Sequence, residues 1–330
     1  RGSRMSNRVK IILILLGALS IALLMWWRSE MHAQDVKNKV GEMKSYCIGR
    51  YVIDVPDRFE MIYPDASIGL PRPVRVIGLG PLKAAQLPDY VAGRIEELRA
   101  GVEERGVNFR YAGASQLGDI QLVATEKYNP YLTDSKSRFI NVEAYYVRHG
   151  HLFRARADVF DTLDEVAHLG DGPQQVGLSE IADATWPREN DVIPSQPGIC
   201  ADRALIDLPV VNDMASAGFK DPDAFGVGMS FDTSEQRAAQ VDIRENWLFG
   251  MVGARAKIAG ISGRAGQKTS HRDRILWFEA HGVEGGAVGE PSREVRLELF
   301  KNDVDLDAEP YPVAEMEAIW EAVLPSVRRR

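Results

Sequence analysis

The 330-residue chain has two cysteines, six histidines and no surplus of positive charge. Two cysteines exclude a disulfide-dense scaffold and a four-cysteine zinc site. The histidines form no ligand spacing: His149 and His151 flank a glycine in R-H-G-H, a hairpin-turn pattern, with no third ligand nearby. No G-x-S-x-G or H-E-x-x-H occurs, and neither cysteine carries a nucleophile signature. A net charge of -7 argues against a nucleic-acid-binding face, which needs a basic patch or stripe. Disorder is also excluded as the default, because 45% hydrophobic and 26% charged residues match a globular average and the length suits two domains.

Two glycine-containing stretches imitate phosphate loops and fail on detail. V-I-G-L-G-P at 76–81 lacks the third glycine and puts Pro81 where a helix would open. G-R-A-G-Q-K-T at 263–269 has Gln267 between glycine and lysine, so it reads as a polar turn before a strand. No catalytic residue, cofactor, metal or small-molecule substrate is therefore expected, and the reading tilts toward binding.

One long apolar run is present. Residues Arg1–Arg4 read as an appended leader before a start at Met5, and Ile11–Trp27 follows as seventeen apolar residues. At 1.5 Å per residue these span about 25 Å, at the short end for a bilayer crossing. Trp26 and Trp27 lie where an aromatic belt would, with Arg8 and Lys10 before the run. An uncleaved single-pass anchor in a bacterial inner membrane is favoured over a cleaved signal peptide ending at M-H-A, with residues 1–10 cytoplasmic and the remainder periplasmic. A polar tether would occupy 28–44.

The two cysteines open the same phrase. C-I-G-R-Y-V-I-D-V-P at 47–56 returns as C-A-D-R-A-L-I-D-L-P at 200–209, sharing Cys, Arg, Ile, Asp and Pro at equal offsets. With only one way to superpose the cysteines, four further identities arise by background composition about once in a thousand. An internal duplication follows, with a domain at 45–187, a proline-rich linker at 188–198 and a domain at 199–330. Cys47 and Cys200 then mark equivalent strands. They pair as a disulfide if the copies meet about a two-fold axis, and are otherwise two separate buried thiols.

Each half reads as an opening strand, further strands with a helix, paired strands and a terminal helix. Period-two runs fall at 120–124, 140–146, 153–159, 225–231, 275–279 and 294–300; helical spacing falls at 88–106, 176–184, near 245–257 and at 312–324. Neighbouring strands are too close in sequence for helical crossovers, so antiparallel sheets are expected. The predicted class is α+β: two related domains, each a mainly antiparallel sheet with packed helices, behind the anchor. Tyr128 and Tyr131 in a polar loop, with Trp247 and Phe249 in E-N-W-L-F-G-M, are the candidate partner contacts, because exposed aromatics anchor interfaces.

The opening phrase, G-I-C-A-D-R at 198–203, A-G-I-S-G-R-A-G at 259–266, E-V-R-L-E-L at 294–299 and A-I-W-E-A-V-L-P-S-V-R at 318–328 together resemble the immunity proteins that accompany type VI secretion lipase effectors, the Tle cognate immunity family. The resemblance covers roughly residues 44–330. It implies two domains that grip a secreted phospholipase in the periplasm and block substrate access, with no catalysis of their own. A membrane-anchored envelope scaffold, or an envelope enzyme with a site assembled from distant residues, stands as the alternative.

Overall fold

The computed structural model describes residues 7–330 apart from 70–72, 105–106, 129–138, 161–176, 210–211, 225–226, 238–253, 271–274, 286–290 and 303–312. The chain is mostly β, which corrects the α+β expectation: nineteen strands and four α-helices lie among the described residues. Thirteen strands form one antiparallel sheet in the order β15-β16-β17-β18-β14-β13-β3-β4-β9-β8-β7-β6-β5. Its first-half strands are β3 (Glu60–Ile68), β4 (Val74–Pro81), β5 (Val102–Glu104), β6 (Val107–Leu117), β7 (Ile120–Tyr128), β8 (Phe139–Arg148) and β9 (His151–Phe160). Those of the second half are β13 (Asp213–Lys220), β14 (Val227–Arg237), β15 (Ala254–Ile258), β16 (Ile261–Ser270), β17 (Ile275–Glu284) and β18 (Pro291–Asn302).

The strand order reads outward from a seam. Counting from β3 the first half runs β3, β4, β9, β8, β7, β6; counting from β13 the second runs β13, β14, β18, β17, β16, β15. Equivalent strands thus occupy equivalent places, and β3 pairs antiparallel with β13 from Glu60/Lys220 to Ile68/Asp213. An antiparallel pair of like strands has an approximate two-fold axis between them, as in an isologous interface. The apolar core is continuous across this seam, from Ile53, Ile68 and Phe153 to Phe219, Phe231 and Leu297.

Two small sheets complete the arrangement by exchange. The hairpin β1 (Met43–Ile48) and β2 (Tyr51–Pro56) takes its third strand from β19 (Arg328–Arg329) at the far end of the chain. Its counterpart, β11 (Ile199–Ala201) and β12 (Ala204–Ile206), takes its third strand from β10 (Thr185–Pro187) at the end of the first half. The backbone repeats the exchange: Arg330 N–H donates to the Arg50 carbonyl at 2.9 Å, and Arg188 N–H to the Arg203 carbonyl at 3.3 Å. Each half therefore finishes the other.

The hairpin tips are wedged against the large sheet. Gly49 N–H donates to the Cys200 carbonyl at 3.0 Å and accepts in return from Cys200 N–H at 2.7 Å. Gly49 has φ +56°, and a β-carbon there would lie 2.8 Å from Cβ of Ala215 on β13, so the approach needs glycine. The first glycine of the first phosphate-loop lookalike has the same use. Gly78 lies in β4, its N–H donates to the Asp202 carbonyl at 2.7 Å, and a side chain would strike the Arg203 carbonyl.

The first helix corrects the anchor, the tether and the inner-membrane location. α1 runs unbroken over Asn7–Val40, and among the described residues no helix is long and apolar enough to cross a membrane. Where a polar tether was expected the helix continues, supported by i,i+4 pairs from Gln34 to Asn38 at 2.9 Å and from Lys39 to Asp35 at 2.8 Å. Its far end joins the protein, since Val40 is buried in the core and Val36 packs against it. His32 Nε2 meets Glu321 Oε2 at 2.8 Å on α4 (Val313–Val323), the terminal helix expected from its spacing.

Other elements differ in extent. The helix expected to close at Gly106 is α2 (Leu87–Ala100) and ends at Gly101, φ +89°, after which Val102–Glu104 is already strand. The helix of 176–184 is the short α3 (Leu178–Asp183). Residues 254–257, read as the end of a helix, form β15; 245–253 lie outside the described residues. The turn before β16 is confined to Ala259 and Gly260, so Ile261–Ser270 is strand rather than polar turn. β6 and β13 were not anticipated.

Candidate partner-binding surface

Of the four aromatics singled out in the sequence, Tyr131, Trp247 and Phe249 lie outside the described residues, and Tyr128 has only its backbone described, at the end of β7. The exposed aromatics that the structure does place are Trp26 and Trp27 on α1, together with Tyr63, Tyr90 and Trp186. Tyr63 is 66% exposed on the central strand β3 in a left-handed conformation, φ 51°. Trp186 on β10 stacks on the His149 ring at 3.7 Å between centroids, which places the R-H-G-H turn against the exchanged strand.

At the seam the two sulfurs are bonded. Cys47 and Cys200 have Cα atoms 5.7 Å apart and are buried with Leu205. Arg330 covers the bridge, donating from one guanidinium nitrogen to each sulfur at 3.2 Å and from another to the Pro194 carbonyl at 2.9 Å and to that of Gln196. The proline-rich segment between the halves is thereby held by the end of the chain.

Beside the bridge sits a buried ionic cluster. Arg50 Nε donates to Asp213 Oδ1 at 3.0 Å, Arg329 donates to both oxygens of Glu235 at 2.7 and 2.9 Å, and Tyr51 donates its hydroxyl to Glu235 at 3.0 Å. Asp213 is 2% and Glu235 0% exposed, so charges here must be mutually paired. Burial pushes the Asp213 carboxyl up to about 7 despite the Arg50 guanidinium, and burial also raises the Tyr51 phenol. The residues come from the β1–β2 turn, β2, β13, β14 and β19, so the cluster fastens the exchanged strand to both halves. Arg50, one of the residues shared by the repeated phrase, pairs with a residue 163 positions away.

A second cluster lies under α2. Glu143 accepts from Arg94 at 3.2 and 3.3 Å and from the Tyr145 hydroxyl at 2.5 Å. Burial acts to raise the Glu143 carboxyl, but these hydrogen bonds and the Arg154 charge outweigh it and hold the group below its ordinary value. A carboxylate so held stays ionised and anchors the helix to the sheet. Among the described residues no group of three or more histidine, cysteine or acidic side chains could hold a metal ion.

The open chemistry is at the sheet's end. The β15–β16 hairpin lines a cleft of ≈ 590 Å³ with Arg255, Ala256, Lys257, Ser262, Gly263 and Arg264. Arg255 stands directly opposite Arg264, and strand alternation puts Lys257 on the same face. All three cations are exposed, whereas Ile258 and Ile261 on the other face are buried. This site was missed because A-R-A-K-I was taken into a helix; its period-two alternation of small or apolar residues with cations was the signal available.

Neither a family model nor a curated protein matches the chain. Solved structures do. The immunity protein TplEi of the type VI secretion system from Pseudomonas aeruginosa, complexed with an "L" peptide, matches at TM-score 0.57 and 16% identity over 88% of this chain and 99% of that one. Its apo structure matches at TM-score 0.57 and 17% identity over 87% and 97% of the two chains. A chain of the Tle4–Tli4 complex matches at TM-score 0.51 and 18% identity, again over 87% and 97%. The likeness first drawn from the repeated phrase and its companions holds at the level of the fold: this chain has the fold of type VI secretion immunity proteins.

Proposed function

We propose that the protein is an immunity protein that binds a cognate type VI secreted lipase and blocks access of phospholipid to it. The observation that carries this reading is the end-to-end match in fold to immunity proteins, one bound to a peptide and another match drawn from the Tle4–Tli4 complex. The disulfide supports an oxidising compartment outside the cytosol, such as the periplasm, as the place of action. The reading is one of binding without turnover, in keeping with ionic clusters that are buried and mutually satisfied. Residues 45–187 and 199–330 are the two arms of the grip, and the exchanged strands and the Cys47–Cys200 bridge hold those arms in one geometry. Preorganised arms lose little freedom on binding, which favours tight association.

The test mixes the full chain with the lipase encoded beside its gene and follows both co-elution and lipid hydrolysis. A stoichiometric complex with suppressed hydrolysis is expected. Full hydrolysis with no complex would overturn the reading.

A further inference from the structure

Several arginines on the large sheet are matched to acids: Arg296 reaches Glu279 at 3.0 Å, and Arg293 pairs with Glu284 on the neighbouring strand. The β15–β16 hairpin breaks this pattern. Arg255 faces Arg264 across the ladder, with Lys257 alongside, and among the described residues none of the three has an acidic partner. Like charges directly opposite on a sheet are destabilising, so the arrangement is left unrelieved in the free protein. It stands out further in a chain with a net charge of -7. β15 is also the last strand of the sheet, and among the described residues no strand pairs with its outer edge. Among the described residues its main-chain groups on that side therefore have no strand partner.

The geometry points to β15 as a docking strand for an extended acidic segment of a protein partner, which pairs with it by main-chain hydrogen bonds and sets carboxylates at alternate positions against Arg255, Lys257 and Arg264. Arg255 and Lys257 are two residues apart, about 7 Å along the strand, the spacing at which side chains i and i+2 of an added strand recur. A polypeptide is favoured over an anionic lipid surface because the charges flank an unpaired strand edge, and a headgroup makes no use of main-chain donors in register. The inference rests on the effector-binding reading, with the segment belonging to the effector.

The probe is a labelled eight-residue peptide of alternating threonine and glutamate, titrated into the full chain at low salt. Controls are a peptide of the same composition with its glutamates in one block, the alternating peptide N-methylated at every residue, and phosphatidylglycerol vesicles. Saturable binding of the alternating peptide is expected, weakened about tenfold or more in Arg255→Glu/Lys257→Glu as charge-assisted contacts are lost. Arg255→Gln/Lys257→Gln, which keeps the fold without reversing charge, should weaken it by a smaller factor. The N-methylated and blocked peptides should bind poorly. Charged edges also deter self-association, but a mere deterrent does not distinguish alternating from blocked acids. Equal binding of those two peptides, indifference to N-methylation, or vesicle binding stronger than peptide binding would each overturn the inference. Failure of the wild-type chain to bind the neighbouring lipase would instead count against the immunity reading. Lipase binding untouched by the charge reversal would sink the docking strand alone.

Discussion

The Cys47–Cys200 bridge joins residues 153 apart, which makes its reduction the most informative single perturbation. In the chain-entropy view a cross-link acts on the unfolded state, and closing a loop of that length stabilises the fold by about 5 kcal/mol at 25 °C. The folded state should survive without it, because β3 and β13 remain paired, each small sheet keeps its exchanged strand, and Arg329 still fastens β19 to Glu235. The effect is thus expected in the unfolding equilibrium rather than in the native structure. With a urea m-value near 3 kcal/mol/M, the midpoint should fall by about 1.7 M. Because both sulfurs are buried, reduction is carried out in denaturant, and the chain is refolded with reductant present. Oxidised and reduced wild type should give the same circular dichroism but well-separated urea curves. Cys47→Ala/Cys200→Ala should match the reduced protein and ignore reductant. Coincident midpoints for oxidised and reduced wild type would refute the account of the seam as an entropic staple.

Arg329→Ala removes the bidentate partner of Glu235, which is 0% exposed, and leaves a buried carboxylate short of charge compensation. A loss of about 3 kcal/mol is expected by urea titration, and Glu235→Gln on the same background should recover part of it. The Asp213 carboxyl is raised to about 7 from an ordinary value of 3.8, so between those values the native state binds more protons than the unfolded state. Its contribution is complete below the unfolded value and is lost as pH rises toward 7; Asp213→Asn should abolish that decline between pH 4 and 7 when wild type and variant are compared by chemical denaturation. Separate chains of residues 5–190 and 191–330 each lack a third strand of a small sheet. Expressed together they should reassemble and run as one covalent species on a non-reducing gel through Cys47 and Cys200, and each alone should be unstable to proteolysis.

The amphipathic helix after Pro88 and the terminal helix over 312–324 could be read locally, because their apolar spacing is decided within a few turns. The same holds for the β8–β9 hairpin, whose turn chemistry lies in R-H-G-H. The candidate surface was less legible. A five-residue edge strand such as A-R-A-K-I fits two periods almost equally well, and only its pairing with β16 made it β. The aromatic contacts chosen from sequence lie almost wholly in segments outside the described residues, so the basic edge stands on geometry the sequence reading did not reach.

By itself the sequence determined that one cysteine-headed phrase occurs twice, at 47–56 and 200–209, and that the familiar catalytic signatures are missing from it. These are matters of residue identity and offset, which need no neighbours to be read. Only the tertiary structure decided that the helix begun by the apolar run continues through the polar segment to Val40, where burial against the core outweighs the polarity of the intervening residues. It alone decided that thirteen strands join into one sheet and that β10 and β19 trade places between halves. Strands of two or three residues have no pattern of their own, and become strands only when a partner from a distant part of the chain supplies their hydrogen bonds.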